Sequence, residues 1–132
     1  MPSSIRVQAQ PLIAVRDVAA SSRWYQALLA CESAHGGDEY EMLVSSGTLF
    51  LQLHAWDVDE HVNLVEPAFA PPGHGVLLWF ETTDFDAAVQ AARALEAEIV
   101  EEPHENPNSG RREIWLRDPD GYVVVVAGRQ ER

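Results

Sequence analysis

The 132-residue sequence has one cysteine, no lysine and no apolar run long enough to cross a bilayer. A lone Cys31 excludes an intrachain disulfide and a four-cysteine zinc site; near the end of a helical pattern, it reads as a small buried residue. The longest apolar runs fall far short of the roughly 18 residues of a membrane span. The first fifteen residues lack a basic stretch ahead of a long apolar core, so no signal peptide is read and the expected location is the cytoplasm. A glycine-rich phosphate loop and a Ser-His-Asp motif in recognisable context are also missing. All nine basic residues are arginine, against 21 acidic ones, for a net charge of −12. Such a field repels phosphate backbones and anionic lipid surfaces, so nucleic-acid and membrane partners are not expected. It steers cations inward, although the same charge also serves solubility.

What is present suits one globular domain. Apolar residues make up 46% and charged residues 23% of the chain, and a chain of this length buries about two thirds of its surface on folding. The main organising feature is a weak internal repeat. LIAVRDVAASSRWYQALLA (12–30) and LLWFETTDFDAAVQAARAL (77–95) each read as an apolar strand, an aspartate, then a helical pattern. Asp17 is placed to cap the first helix, and Asp84 or Asp86 the second. Trp24, Tyr25 and Leu28 recur at helical spacing, as do Phe85, Ala88, Val89, Ala92 and Leu95, and both sets are expected to pack on sheet.

Alternation places the strands. Residues 5–15 read as a strand with Ile13 and Val15 on one face and Gln10, Leu12 and Ala14 on the other. Residues 40–45 and 48–54 read as two strands joined at Ser46-Gly47. In the second, Leu49, Leu51 and Leu53 form one face and Phe50, Gln52 and His54 the other. Residues 57–75 have no period and read as a connection. A strand over 76–82 alternates Val76, Leu78 and Phe80 with Leu77, Trp79 and Glu81. A short strand is expected over 99–102, a polar loop over 103–112, and a closing hairpin over 113–117 and 122–127 across Asp118-Pro119-Asp120-Gly121. The expected fold is α+β, with βαβββ modules over 5–56 and 76–128.

A repeated βαβββ module that closes with RDPDGYVVVV resembles the vicinal oxygen chelate superfamily, which groups glyoxalase I, extradiol dioxygenases and the fosfomycin and bleomycin resistance proteins. The resemblance implies a curved sheet with a concave cleft. In the superfamily's enzymes that cleft holds a divalent metal on His, Glu or Gln side chains from both modules. Carried over one by one, those positions fall on Gln10, Gln52, Leu77 and Val125. Two amides and two aliphatic groups make a poor ligand set, so no metal and no other cofactor are expected.

The implied concave face instead holds Gln10, Leu12, Phe50, Gln52, His54, Leu77, Trp79, Glu81, Glu113, Trp115, Arg117, Val123 and Val125. Stacking rings, amides and carboxylates suit a planar or cationic organic molecule. The ligand-binding residues expected are Gln10, Phe50, Gln52, His54, Trp79, Glu81, Glu113, Trp115 and Val125. This composition resembles the bleomycin resistance branch, which implies a homodimer that sequesters a small molecule without chemistry. Two alternatives stand beside it. One is a metal-dependent lyase or dioxygenase using Gln52, His54 and an unassigned group; the other is a regulatory partner with an empty cleft.

Overall fold

The computed structural model describes residues 8–56, 76–107 and 109–129. Its elements run β1 (Leu12–Val15), α1 (Val18–Leu29), β2 (Glu32–Ser33), β3 (Tyr40–Ser45) and β4 (Thr48–Ala55), then β5 (Leu77–Thr82), α2 (Phe85–Ala94), β6 (Glu98–Glu105), β7 (Arg112–Arg117) and β8 (Val123–Gly128). They build two four-stranded sheets of the same design, ordered β1-β4-β3-β2 and β5-β8-β7-β6. In each, the first strand lies parallel to the last and every other pair is antiparallel. The α+β fold of two tandem βαβββ modules is therefore as the sequence indicated.

Local chemistry sets the helix starts. Asp17 accepts the Ala20 amide at 3.0 Å and Asp84 accepts that of Ala87 at 3.0 Å, each filling an orphan donor of the first turn. Asp84 is thus the cap, while Asp86 sits in the first turn, where its charge suits the positive end of the helix.

Four elements depart from the sequence reading. Strand β1 begins at Leu12, with Gln10 ahead of it, and residues 1–7 lie outside the described residues. The two-residue β2 has no apolar pattern to announce it and is defined by pairing Glu32 with Val44 and Ser33 with Leu43. Strand β6 continues to Glu105 instead of stopping at residue 102. Proline is tolerated at position 103 because β6 is an outer strand and its register slips between Glu101 and His104. The expected polar loop shrinks to a tight turn in which the Asn106 amide donates to the Arg111 carbonyl at 2.7 Å. Finally, the ladder pairs Leu43 with Leu51 but Val44 with Leu49, leaving Phe50 as the extra residue of a bulge. The expected connection over 57–75 lies outside the described residues.

The helix-facing sides of both sheets share one core with both helices. It contains Ile13, Val15, Leu51 and Leu53 from the first sheet, Leu78, Leu116, Val124 and Val126 from the second, and Tyr25, Leu28, Phe85 and Ala92 from the helices. Phe80 joins the halves through edge-to-face contacts with Tyr25 at 6.3 Å and Phe50 at 5.4 Å. Cys31 is buried at the edge of this core, and burial pushes its thiol up to about 11.

Polar groups lock the joint. Gly121, at φ 95°, closes the turn after β7 with its amide on the Asp118 carbonyl. The buried Asp118 side chain accepts the Tyr25 hydroxyl at 2.6 Å and the amides of Asp120 and Tyr122 at 2.8 and 2.9 Å. Asp120 accepts the Arg16 amide at 2.8 Å, the Arg16 Nε at 2.9 Å and the Ser21 hydroxyl at 3.3 Å. The Tyr122 hydroxyl donates to the Ala14 carbonyl at 2.9 Å. Burial, then the neighbouring Asp118, holds the Tyr25 phenol well above its ordinary range, and burial pushes Tyr122 up to about 12. Another buried carboxylate, Glu41, binds the start of the first module together. It accepts the Ser22 and Ser33 hydroxyls and the Gly36 amide, each at 2.7 Å. Its burial alone would raise the carboxyl, but these donors overcome that and lower it. Among the described residues, no helix is long and apolar enough to cross a membrane.

Candidate functional site

With one side of each sheet committed to the core, the other side is open. Side chains that are opposite each other across a ladder share a face, so the registers define what each open face carries. On the second sheet three rows cross β6, β7, β8 and β5: Glu98, Arg117, Val123 and Leu77; then Glu101, Trp115, Val125 and Trp79; then His104, Glu113, Ala127 and Glu81. The structure therefore brings Trp79, Glu81, Glu113, Trp115 and Val125 onto one face. On the first sheet the corresponding rows hold Tyr40, His54 and Ala14, then Met42, Gln52 and Leu12.

The second face is aromatic and apolar at its centre. Trp79 is 43% exposed and Leu77 51% exposed, while Val125, between Trp79 and Trp115 in its row, is fully buried. Arginine–carboxylate pairs stand at both ends of the tryptophan row: Arg111 on Glu81 at 3.0 Å, and Arg117 on Glu98 at 3.0 Å. Arg111 comes from the β6–β7 turn, which thereby lies against the Glu81 end of the face.

Glu113 differs from its sequence reading in kind. It is 0% exposed, and its two oxygens accept the Trp115 indole N–H at 3.0 Å and the Asn106 amide at 2.9 Å. A carboxylate so occupied orients its neighbours. Alternation could place Glu113 on the face; its burial depends on the turn at 106–111 folding back, which no local pattern announces.

The first open face sets Ala14, Met42 and Leu12 beside polar groups that are bonded within the protein. The Tyr40 hydroxyl donates to the Gln52 carbonyl oxygen, and the Gln52 amide donates to the Gln10 backbone carbonyl at 2.9 Å. The His54 Nδ1 lies 2.8 Å from the Ala55 carbonyl. Gln10 is exposed. Phe50 leaves this company: as the bulged residue it packs on Phe80 at the core.

These residues do not fit the divalent metal that enzymes of this architecture hold. Of the four corresponding positions, Leu77 and Val125 have no donor atom, and both ends of the Gln52 amide are engaged within the protein. Among the described residues, no three His, Cys, Asp or Glu side chains converge as metal ligands.

Comparison with known proteins agrees with this architecture. The family model of the Glyoxalase/Bleomycin resistance protein/Dioxygenase superfamily matches residues 7–126. A family enzyme of that description from Burkholderia phytofirmans PsJN superposes with a TM-score of 0.73 at 21% identity, over 89% of this chain and 94% of that one. The bleomycin resistance determinant encoded on the transposon Tn5 gives 0.69 at 16% identity, over 96% and 100%. TioX from Micromonospora sp. ML1 gives 0.68 at 17% identity, over 96% and 100%. At these identities the likeness to the solved structures concerns the fold. No curated protein matches the sequence. The doubled module and the family match over nearly its whole length together place this chain in the glyoxalase/bleomycin resistance protein/dioxygenase superfamily.

Proposed function

We propose that this chain binds a planar aromatic small molecule, cationic by preference, on the open face of its second module, without a metal and without chemical conversion. The observation that carries this reading is the row of Trp79, Val125 and Trp115, with the half-exposed Leu77 and the partly buried Val123 beside it. Rings stack on such a surface, and the indole faces attract a positive charge. The charge of −12 raises the local concentration of cations. Glu81 lies at the edge of the row, where a ligand cation would meet it in exchange for Arg111. The fold it shares with the Tn5 bleomycin resistance determinant suits sequestration of a natural product.

The working unit in this proposal is a homodimer of two-module chains (5–56 and 76–128, joined by 57–75). Leu12, Leu77 and Trp79 leave apolar surface open around the outer strands β1 and β5, and a second copy would cover part of it. Gln10, Gln52 and His54 would then orient the ligand from the polar face of the partner copy. Titrating the protein with planar cations, neutral ring compounds and bleomycin-type glycopeptides, followed by tryptophan emission, tests the reading. Saturable quenching by at least one class is expected. A flat response across the panel overturns it.

A further inference from the structure

The aromatic face contains one group that the proposed binding reading leaves without a task. Glu113 is a fully buried carboxylate beside the aromatic row, on a face whose other carboxylates lie on the outer strands β5 and β6. Burying a charge is costly unless donors compensate it, and its donors here are specific. The Trp115 indole N–H donates to Oε1 and the Asn106 amide to Oε2. The next group is His104, the cross-strand partner of Glu113 on β6. Its Nε2 lies 3.7 Å from the same Oε1 and 3.6 Å from the Glu101 carboxylate.

The imidazole is held in one tautomer. Its Nδ1 lies 2.8 Å from the Glu102 carbonyl, which can only accept, so Nδ1 carries the hydrogen. In the neutral ring, the Nε2 lone pair consequently faces two carboxylates. Protonation turns that nitrogen into a donor and places a positive charge within 3.7 Å of both carboxylates. The other charged groups of this centre are paired: Glu81 on β5 with Arg111 of the turn, while β8 presents only Ala127 and Val125 here. Glu105 and Arg112, next along β6 and β7, lie on the opposite face, where Arg112 bonds Asp86 of α2.

We propose that Glu113 is the positioning residue of the aromatic face: it fixes the Trp115 ring through the indole N–H, and His104 makes that hold depend on pH. Neutral His104 leaves Oε1 to the indole. Protonated His104 competes for the same oxygen, loosens the ring and adds positive charge beside it. The proposal rests on the aromatic face being where ligand binds, but the ring's placement is readable without any ligand.

The test uses the ¹⁵N-labelled full chain. The Trp115 indole N–H signal is assigned by its loss in Trp115→Phe and followed from about pH 8 to about pH 5, the span over which imidazoles change charge. The expected signal lies downfield, as a carboxylate-bonded indole does, and moves with pH. Glu113→Gln keeps an acceptor and retains most of the downfield position, whereas Glu113→Leu abolishes it. His104→Gln, a substitution at a partly exposed position, removes the pH dependence while leaving the fold intact. An indole signal indifferent to Glu113→Gln and Glu113→Leu alike, or a pH dependence that survives His104→Gln, overturns the proposal. If Glu113→Leu does not fold, His104→Gln decides the matter alone, by whether the pH dependence of the indole signal is lost or survives. With proflavine as the planar cation, affinity is expected to fall about tenfold in Glu113→Leu and to weaken several-fold on acidification in wild type only. Proflavine that does not bind at all sinks the function reading and leaves the indole result standing. Proflavine that binds equally well to wild type and Glu113→Leu sinks this inference alone.

Discussion

The two open faces of this molecule are built on the same scaffold and do different things with it. Each sheet gives one side to a common core, and each pairs its first strand parallel to its last. On the first sheet the remaining side has no tryptophan, and its polar groups bond one another: Tyr40 to Gln52, and Gln52 to the Gln10 carbonyl. On the second it is aromatic, and its one buried carboxylate is spent on an indole. The difference teaches that duplication fixes the frame while the outward row of each strand remains free to vary. Strand parity alone separates core from face, so Leu78 and Phe80 pack inward while Leu77, Trp79 and Glu81 face outward.

The most damaging way to break the comparison is at the joint that both faces depend on. Asp118→Ala leaves three donors, from Tyr25, Asp120 and Tyr122, without their acceptor, and a loss of about 3 kcal/mol in urea unfolding is expected. A loss below about 1 kcal/mol would show that the turn after β7 does not hold the halves together. Alkali attacks the same joint. The phenols of Tyr25 and Tyr122 are both raised in the folded state. Their contribution is full below the unfolded value near 10 and is lost as pH climbs through the folded values, about 12 for Tyr122. The urea midpoint should therefore hold from about pH 8 to about pH 10 and drop between about pH 10 and about pH 12, less so in Tyr122→Phe.

Next in size is the contrast between the faces themselves. Trp79→Ala should weaken binding of a planar cation about tenfold or more, and Tyr40→Ala by less than about threefold, by calorimetry. Equal losses would erase the distinction. A smaller effect is expected at Glu81. Its partner Arg111 is held in a partly exposed pair, so Glu81→Gln should change stability by under about 1 kcal/mol in urea unfolding while reducing preference for cationic over neutral rings. The smallest effect is none: dialysis against a chelator should leave the binding titration unchanged, because Leu77 and Val125 stand where donors would be needed.

Much of this was readable from residues. The alternation of β5, the hairpin across Asp118-Pro119-Asp120-Gly121 and the cap at Asp17 all follow from local chemistry, which leaves the second cap open between Asp84 and Asp86. The failures share a cause, which is dependence on distant chain. Phe50 follows the alternation of Gln52 and His54 until one extra residue in the ladder reverses the phase before Leu51. Pro103 reads as a loop until β6 proves to be an outer strand. Glu113 reads as a ligand-binding carboxylate on an open face, and only tertiary donors from Asn106 and Trp115 make its burial tolerable. Asp118 and Asp120 signal a turn; that they also grip Arg16, Ser21 and Tyr25 is a fact of docking between modules.

Chemical-shift mapping with a planar cation tests the central claim most directly, because it reads which face the ligand meets. The account predicts saturable shifts in the Trp79 and Trp115 indole signals and in the amides of β5, β7 and β8 around Val125. Shifts confined to Tyr40, Gln52 and His54 on the first sheet, or no saturable shift at all, would contradict it.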